Sequence, residues 1–280
     1  MDKPAKRVLL ITGGSSGFGR ALSEAALLAG YIVIGTVRSE AAKAEFDKLD
    51  EKRAHGVILD VTEFAAIETT VKDVTERTGP VDVLVNNAGY GHEGTLEESP
   101  LEELVRQFNV NVFGAVAMTR AVLPSMRVRR TGHIINITSM AGLVTFPGVS
   151  YYCGSKFALE GISEALEKEV RGLGIKVTIV APGAFRTDWA GRSMIRTERS
   201  VEDYNVVFDP IRRLRKAKDG KQPGDPAKAA QVLLDIIEAD NPPVHLLLGN
   251  DALSVVRKRL ADLNDEIDRW ASVSKSTDFS

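Results

Sequence analysis

The 280-residue chain has few of the residues that mark disulfide-rich, metal-binding or membrane proteins. Its single cysteine, Cys153, excludes an intramolecular disulfide and a multi-cysteine metal site. The apolar run from Val8 to Ile11 is too short for a signal sequence, and no later run is long enough to span a bilayer. The histidines show no metal-ligand spacing, so no metal is expected. They are His55, His92, His133 and His245.

Neither sign of charge dominates. Thirty-six Lys and Arg residues stand against 38 Asp and Glu residues, which leaves a formal net charge of −2. With so little net charge, the chain has no overall electrostatic attraction for nucleic acid or for an anionic membrane. Neither is therefore expected as a partner. The basic run from Arg212 to Lys221 is interpreted as a solvated loop face. The low cysteine content suits a reducing compartment, which predicts a cytoplasmic location.

What is present is a globular composition, with 44% hydrophobic and 26% charged residues. Short β-branched runs alternate with longer segments of helical period, a pattern typical of an α/β fold with helices on both faces of a parallel sheet. Seven runs are predicted as strands, and most are apolar throughout, as strands buried on both faces are. They are Val8 to Thr12, Ile32 to Val37, Gly56 to Leu59, Val81 to Val85, His133 to Thr138, Val177 to Ala181 and Val244 to Leu248.

Segments of helical period lie between these strands. The first runs from Phe18 to Gly30; the others are Glu63 to Thr78, Leu101 to Arg130 with a bend near Gly114, Tyr151 to Leu173, Pro226 to Glu238 and Ala252 to Ala271. With no repeat and no flexible linker, residues 1–280 are predicted to form one domain. The segment from Asp188 to Gly224 loses periodicity, which predicts a substrate-binding lid. Residues 272–280 are predicted to be a flexible tail.

Two motifs carry chemistry. The run from Thr12 to Gly19 (TGGSSGFG) joins the first strand to the first helix, and its glycines would let a diphosphate approach the helix N-terminus. Alone, such a turn is more often only a turn. Tyr152 and Lys156 lie four residues apart on one helix face, where the ammonium would lower the pKa of the phenol. Alone, such a pair is usually a surface pair.

The two motifs point to one family of proteins only in combination with further residues. These residues are Asn86-Asn87-Ala88-Gly89, Asn111, Ser139 and the run from Pro182 to Thr187. Together they resemble the short-chain dehydrogenase/reductase family from about Val8 to Thr187. The stretch from Tyr152 to Leu166 (YCGSKFALEGISEAL) looks most like the family's 17β-hydroxysteroid dehydrogenase-like branch. Gly154 stands where the family usually has alanine. The resemblance implies a three-layer, doubly wound, Rossmann-type fold.

The resemblance also implies roles. Tyr152 would exchange a proton with the substrate oxygen, Ser139 would hydrogen-bond that oxygen, and Lys156 would lower the tyrosine pKa and bind the nicotinamide ribose. Asn111 would hold a water that links Lys156 to solvent. The implied cofactor contacts are Thr12, Gly13, Ser15, Ser16, Gly17, Phe18, Gly19, Asp60, Val61, Asn87, Ala88, Gly89, Tyr152, Lys156, Pro182, Gly183 and Thr187. Family members commonly pair through the helices at 101–130 and 151–173, which implies a homo-oligomer.

Cofactor choice is predicted from the end of the second strand. Val37 stands where an NAD-selecting acid would be, and Arg38 follows it. A guanidinium suits a 2′-phosphate, so NADP(H) is the predicted cofactor.

The substrate class is predicted from the segment after Thr187. It is rich in apolar side chains, including Trp189 and Phe208, which favour a hydrophobic ketone or secondary alcohol over a sugar. Arg186, Arg192 and Arg196 leave open a contact with a substrate carboxylate. The alternative function is a non-catalytic dinucleotide-binding regulator, which would not need Ser139, Tyr152 and Lys156 together. Epimerase or dehydratase chemistry fits the glycine spacing less well.

Overall fold

The computed structural model of the chain describes residues 7–189 and 191–279, which contain a seven-stranded sheet and a separate two-stranded one. The strands, in chain order, are β1 Val8–Ile11, β2 Ile32–Val37, β3 Ala54–Ile58, β4 Val83–Asn86, β5 Gly91–Glu93, β6 Gly132–Ile137, β7 Ile175–Pro182, β8 Met194–Arg196 and β9 His245–Leu248. The large sheet has the order β3-β2-β1-β4-β6-β7-β9, and every pairing in it is parallel. The predicted seven-stranded Rossmann-type sheet is therefore confirmed.

The strand order reverses at β1, which lies between β2 and β4. Leu10 of β1 is in register with Ile34 on one side and with Leu84 on the other. The connections from β1 and from β4 leave on opposite sides of this point, so a crevice opens at the carboxyl ends of these strands, where open α/β sheets bind ligands.

Helices cover both faces of this sheet. They are α1 Gly17–Leu28, α2 Glu40–Asp47, α3 Phe64–Thr78, α4 Leu101–Phe108, α5 Ala115–Arg129, α6 Ser150–Val170, α7 Asn205–Ala217, α8 Pro226–Glu238 and α9 Asn250–Lys275. Helix α8 begins where the sequence predicts, because the Asp225 side chain accepts a hydrogen bond from the Ala227 N–H and Pro226 fills the first turn.

The core forms two layers because successive side chains of each strand point to opposite faces. Leu9 and Ile11 pack on one face with Leu22 of α1 and Leu233 of α8. Leu10 packs on the other face with the helices of the opposite layer. Each fully buried side chain of this size stabilises the fold by about 2 kcal/mol. Burial on both faces explains why both the odd and the even positions of β1 are apolar.

The structure refines one prediction of local structure and corrects two. Residues 101–129 are helical throughout, as predicted, but a π-helical segment, Asn109–Gly114, lies between α4 and α5. Residues 188–224 are not irregular throughout: β8 pairs with β5, and α7 follows. Helix α9 continues to Lys275, beyond the predicted start of the tail at residue 272. Helix α7 escaped prediction because Pro210 lies inside it, and proline is rare in the interior of a helix.

Within residues 7–189 and 191–279, no helix is both long enough and apolar enough to cross a bilayer.

Candidate active site

The turn between β1 and α1 needs glycine at specific positions. Gly13 and Gly17 have φ angles of 70° and 55°, a region that side chains disfavour. A Cβ on Gly19 would collide with the Gly13 carbonyl oxygen. The first turn of α1 holds no acidic residue, and Ser16 caps it without a side-chain hydrogen bond. The free N–H groups and partial positive charge of this helix end suit a diphosphate.

Thr12 and Asn87 join β1 to β4 beside this turn. Thr12 Oγ1 accepts hydrogen bonds from the N–H groups of Asn87 and Ala88, each at 3.0 Å. Asn87 Nδ2 donates to the carbonyl oxygens of Thr12, at 2.9 Å, and Gly13, at 3.2 Å. The predicted cofactor residues of the two loops thus form one rigid wall of the crevice.

The loop after β7 closes the crevice from the other side. Thr187 lies 3.6 Å from the position that a Cβ on Gly17 would take, which places the threonine over the start of α1. Phe18 and Phe185 hold the two segments together, with ring centroids 4.9 Å apart. The Gly183 N–H donates to the Leu248 carbonyl at 2.8 Å, so the strand end is anchored on β9.

Tyr152 and Lys156 lie one turn apart on α6 and are both buried, with 6% and 5% of their surface exposed. Lys156 Nζ is 5.8 Å from the centre of the Tyr152 ring and donates to the Ile137 carbonyl at 2.8 Å. Ser139, at the end of β6, hydrogen-bonds Tyr152. The structure therefore brings the three predicted catalytic side chains together.

Burial is the main influence on the protonation of Tyr152 and Lys156. It raises the pKa of Tyr152, against a hydrogen bond from Ser139 that lowers it, and it lowers the pKa of Lys156 to about 8. Loss of solvation disfavours phenolate and ammonium alike, and it is the largest cause of both shifts. The lowering of the Tyr152 pKa by Lys156 stays a prediction. The tyrosine is a neutral proton donor in this state.

Asn111 lies in the π-helical segment and faces the catalytic helix. Its Oδ1 accepts from the Tyr90 N–H at 3.1 Å, and its Nδ2 donates to Ser155 Oγ at 3.0 Å. A Cβ on Gly89 would be 3.1 Å from Asn111 Oδ1 and 3.6 Å from Lys156 Nζ, so Gly89 leaves the gap between them open. A π-helical segment often marks a functional site, and here it aims the asparagine at α6.

The remaining predicted cofactor residues lie around the same crevice. Arg38 is exposed at the end of β2, and Ser15 is exposed in the glycine turn. Asp60 Oδ1 accepts from the Thr62 N–H at 2.9 Å. Val61 is buried against Gly114, so its side chain belongs to the core. Contacts of Asp60 and Val61 with adenine stay predictions.

Sequence reasoning missed two anchors of the site. Asp251 Oδ2, in the first turn of α9, accepts from the Ala184 N–H at 2.7 Å and so holds the loop after β7. Ser155, between Tyr152 and Lys156, receives the hydrogen bond of Asn111 and donates to the Tyr152 carbonyl at 2.8 Å. No local sequence pattern predicts the contact between Asp251 and Ala184. The position of Ser155 on the catalytic helix was a usable signal for the second.

Comparison with known proteins agrees with this geometry. The family model for short chain dehydrogenase matches residues 7–197. Oxidoreductase BOA17 of Botryotinia fuckeliana is 35% identical over 269 residues, which cover 96% of this chain and 98% of the relative. The 3-ketodihydrosphingosine reductase of Bacteroides thetaiotaomicron is 36% identical over 267 residues, covering 95% and 96%.

Solved structures extend the comparison. A short-chain dehydrogenase from Streptomyces avermitilis is 43% identical, with a TM-score of 0.91 over 98% of this chain and all of the other. A protein from Burkholderia phymatum in complex with NAD has a TM-score of 0.82 at 28% identity, covering 95% and 97%. Serine dehydrogenase with NADP+ has a TM-score of 0.74 at 27% identity, covering 86% and 94%. This chain belongs to the short-chain dehydrogenase/reductase family of NAD(P)-dependent oxidoreductases.

Proposed function

We propose that this chain is an NADP-dependent oxidoreductase that interconverts a hydrophobic ketone or aldehyde and the corresponding alcohol, with Tyr152 as the general acid and base. One observation carries the proposal: Ser139 lies against the buried pair of Tyr152 and Lys156, beside the crevice that the glycine turn lines. A protein that only bound a dinucleotide would not need this combination, which argues against the regulator.

In the reducing direction, Ser139 and Tyr152 hydrogen-bond the substrate carbonyl oxygen and polarise the C=O bond. A nicotinamide cofactor held by the glycine turn and Lys156 would supply the hydride that the carbonyl carbon takes up. Tyr152 gives its phenolic proton to the oxygen, which becomes the alcohol. The buried ammonium of Lys156 stabilises the phenolate that is left and returns a proton to it. Asn111, across the gap that Gly89 leaves open beside Lys156, would hold the water that replaces this proton. Oxidation follows the same steps in reverse.

The choice of NADP rests on the end of β2. Arg38 is exposed there, and the preceding residue, Val37, has no carboxylate that would repel a phosphate. A guanidinium binds a phosphate through charge-assisted hydrogen bonds, often in pairs. Ser39 accepts a hydrogen bond from the Ala42 N–H and begins α2, so Arg38 stands at a turn of defined geometry.

The choice of a hydrophobic substrate rests on what surrounds Tyr152. Its neighbours are apolar: Ala141, Val149 and Cys153 are buried with it, and Phe146 and Trp189 pack against this group. Substrate hydroxyls would find few partners there, so a sugar would lose hydrogen bonds on binding.

The arginines of the 188–224 segment and its flank have partners within the chain. Arg186 donates to the Gln222 carbonyl at 3.2 Å, Arg192 pairs with Asp188 at 2.7 Å, and Arg196 pairs with Glu93 at 3.3 Å. These contacts support an apolar substrate over a small keto acid. The name of the Bacteroides relative, a keto-compound reductase, agrees in reaction type.

A panel assay tests the proposal. Purified protein is given NADPH or NADH with bulky apolar ketones, polyhydroxylated ketones and small keto acids, and the corresponding alcohols are tested with NADP+ or NAD+. We expect the highest kcat/KM for an apolar ketone with NADPH. No consumption of either cofactor over the panel, although the protein binds NADPH, would favour the regulator. A preference for sugars or keto acids would contradict the substrate class.

A further inference from the structure

A buried carboxylate lies one helical turn beyond the proposed catalytic lysine. Glu160 follows Lys156 by four residues on α6, so the two side chains lie on the same face of the helix. Only 5% of the surface of Glu160 is exposed. A Cβ on Gly142 would lie 2.9 Å from Glu160 Cγ, so the loop after β6 packs directly on this side chain. The carboxylate takes no part in the proton transfer proposed above, and burying a charge is costly unless a partner compensates for it.

Glu160 is held in place from two sides. Thr138, the residue before Ser139, donates a hydrogen bond to Glu160 Oε1. From β9, His245 Nδ1 lies 3.4 Å from Glu160 Oε2. The other ring nitrogen, Nε2, lies 3.1 Å from Glu164 Oε1 at the exposed end of this group. The position of the Glu160 carboxylate beside the active site is therefore fixed.

Three titratable side chains act on Glu160: Lys156 and Glu164 on its own helix, and His245 on β9. Burial raises the pKa of Glu160, whereas the Thr138 hydrogen bond, His245 and Lys156 lower it. Burial also lowers the pKa of Lys156 to about 8, and Glu160 is the charged group that acts against this lowering. A carboxylate near an ammonium stabilises the charged form of both groups.

We propose that Glu160 is a positioning residue of the active site, whose carboxylate keeps the neighbouring Lys156 in its ammonium form. Thr138 and His245 hold the carboxylate where it can do so. The effect on turnover rests on the proposed function, in which the ammonium stabilises the phenolate of Tyr152. Without Glu160, the buried ammonium would lose its proton at a pH closer to neutral.

Titration of Lys156 in the free protein tests the proposal without substrate or cofactor. Lysine labelled with carbon-13 is incorporated, and the NMR signal of Lys156 is identified by its absence from Lys156→Met. The midpoint is expected at about 8 in the parent. It should fall by about one pH unit in Glu160→Gln, which keeps an acceptor for Thr138 but has no charge.

Glu164→Gln is the matched control, because it removes the same charge from the exposed end of the group. It should leave the Lys156 midpoint close to that of the parent. An unchanged midpoint in Glu160→Gln, or an equal shift in both variants, would overturn the proposal.

The reciprocal titration decides the question even if Glu160→Gln does not fold. Coupling between two sites is mutual, so Lys156→Met should raise the pKa of Glu160 as far as Glu160→Gln lowers that of Lys156. The carboxyl carbon of Glu160, labelled with carbon-13 and assigned through the backbone, reports this pKa. Lys168→Met removes an exposed charge from the same helix and should change it little. An unchanged Glu160 pKa in Lys156→Met would contradict the proposal.

The pH profile of turnover separates this inference from the proposed function. For ketone reduction, kcat/KM should fall on the alkaline side as Lys156 loses its proton, and this fall should begin at lower pH in Glu160→Gln. If no ketone is reduced but the Lys156 midpoint still shifts, the proposed function fails and the coupling of the two residues stands. If ketones are reduced with the same alkaline limb in both proteins, Glu160 has no positioning role in the reaction.

Discussion

The indole ring of Trp189 lies against the phenol ring of Tyr152, with ring centroids 4.9 Å apart and planes inclined by 52°. Trp189 belongs to the 188–224 segment, whereas Tyr152 is on α6, so this contact joins the proposed lid to the catalytic helix. A substrate that reaches Tyr152 must take its place beside this indole.

Replacing Trp189 tests this arrangement. We expect Trp189→Ala to raise KM for a bulky apolar ketone about tenfold, since the indole forms an apolar wall whose contacts are each worth about 1 kcal/mol or more. Trp189→Phe keeps an aromatic ring at this position, so its KM should be close to that of the parent. Steady-state kinetics measures both. An unchanged KM in Trp189→Ala would mean that the indole does not line the bound substrate.

Removing the phenolic hydroxyl of Tyr152 tests the proton transfer. Tyr152→Phe keeps the packing but has no transferable proton, so kcat should fall at least about a hundredfold. Binding of NADPH, followed by fluorescence, should largely survive. The matched control is Tyr151→Phe, whose hydroxyl donates to the Ser99 carbonyl at 2.9 Å and takes no part in the proposed reaction. Near-normal turnover in Tyr152→Phe would refute the mechanism.

Replacing Arg38 tests the cofactor preference. Arg38→Ala should weaken NADPH binding at least about tenfold, because a charge-assisted pair to the 2′-phosphate is lost. NADH binding should change little. Arg77→Ala, an exposed arginine at the end of α3, serves as the control. An equal effect of Arg38→Ala on both dissociation constants would reject the assignment.

Because Lys156 is buried, we expect the free energy of unfolding to depend on pH. Burial lowers its pKa from 10.5 to about 8, so between these values the unfolded chain binds more protons than the folded one. The free energy of unfolding should therefore gain a positive contribution as pH rises from 7.5 to 9.5, with a slope of up to about 1.4 kcal/mol per pH unit.

Burial raises the pKa of the Cys153 thiol, which acts in the opposite direction over the same range. The Lys156 contribution is therefore the difference in slope between the parent and Lys156→Met. Urea unfolding at several pH values measures it, and we expect the variant to have the smaller slope. Equal slopes would mean that the lysine keeps its ordinary pKa in the folded protein.

The contacts of Glu93 are expected to stabilise the segment around α7. Its fully buried carboxylate contacts Arg196, Arg212 and Arg215 at 3.2–3.3 Å and so joins β5 to β8 and α7. Glu93→Gln would leave like charges together, and we expect a loss of about 3–5 kcal/mol in stability. Hydrogen exchange should rise first in residues 194–217. Glu97→Gln, which affects an exposed contact with Tyr204, is the control and should cost far less.

The parallel sheet was predictable because most of its strands are largely apolar runs, as burial on both faces requires. The glycine turn was predictable from its position between a strand and a helix. The pairing of Tyr152 with Lys156 followed from helical geometry alone, since residues four apart share a face. Helix α7 escaped prediction because Pro210 lies inside it. Strands β5 and β8 escaped because each is only three residues long, too short to show an alternating pattern, and their pairing depends on contacts such as those of Glu93.

The sequence by itself thus determined what depends on neighbouring residues: the strands of the large sheet, the turn that suits a diphosphate, and the position of Tyr152 and Lys156 on one face of α6. The tertiary structure alone decided which distant residues meet, such as Asp251 with Ala184 and Trp189 with Tyr152. It also decided that burial is the largest cause of the pKa shifts of Tyr152 and Lys156. The reason is physical: local periodicity records which face of an element is buried, whereas solvation and long-range contacts exist only once the elements have packed.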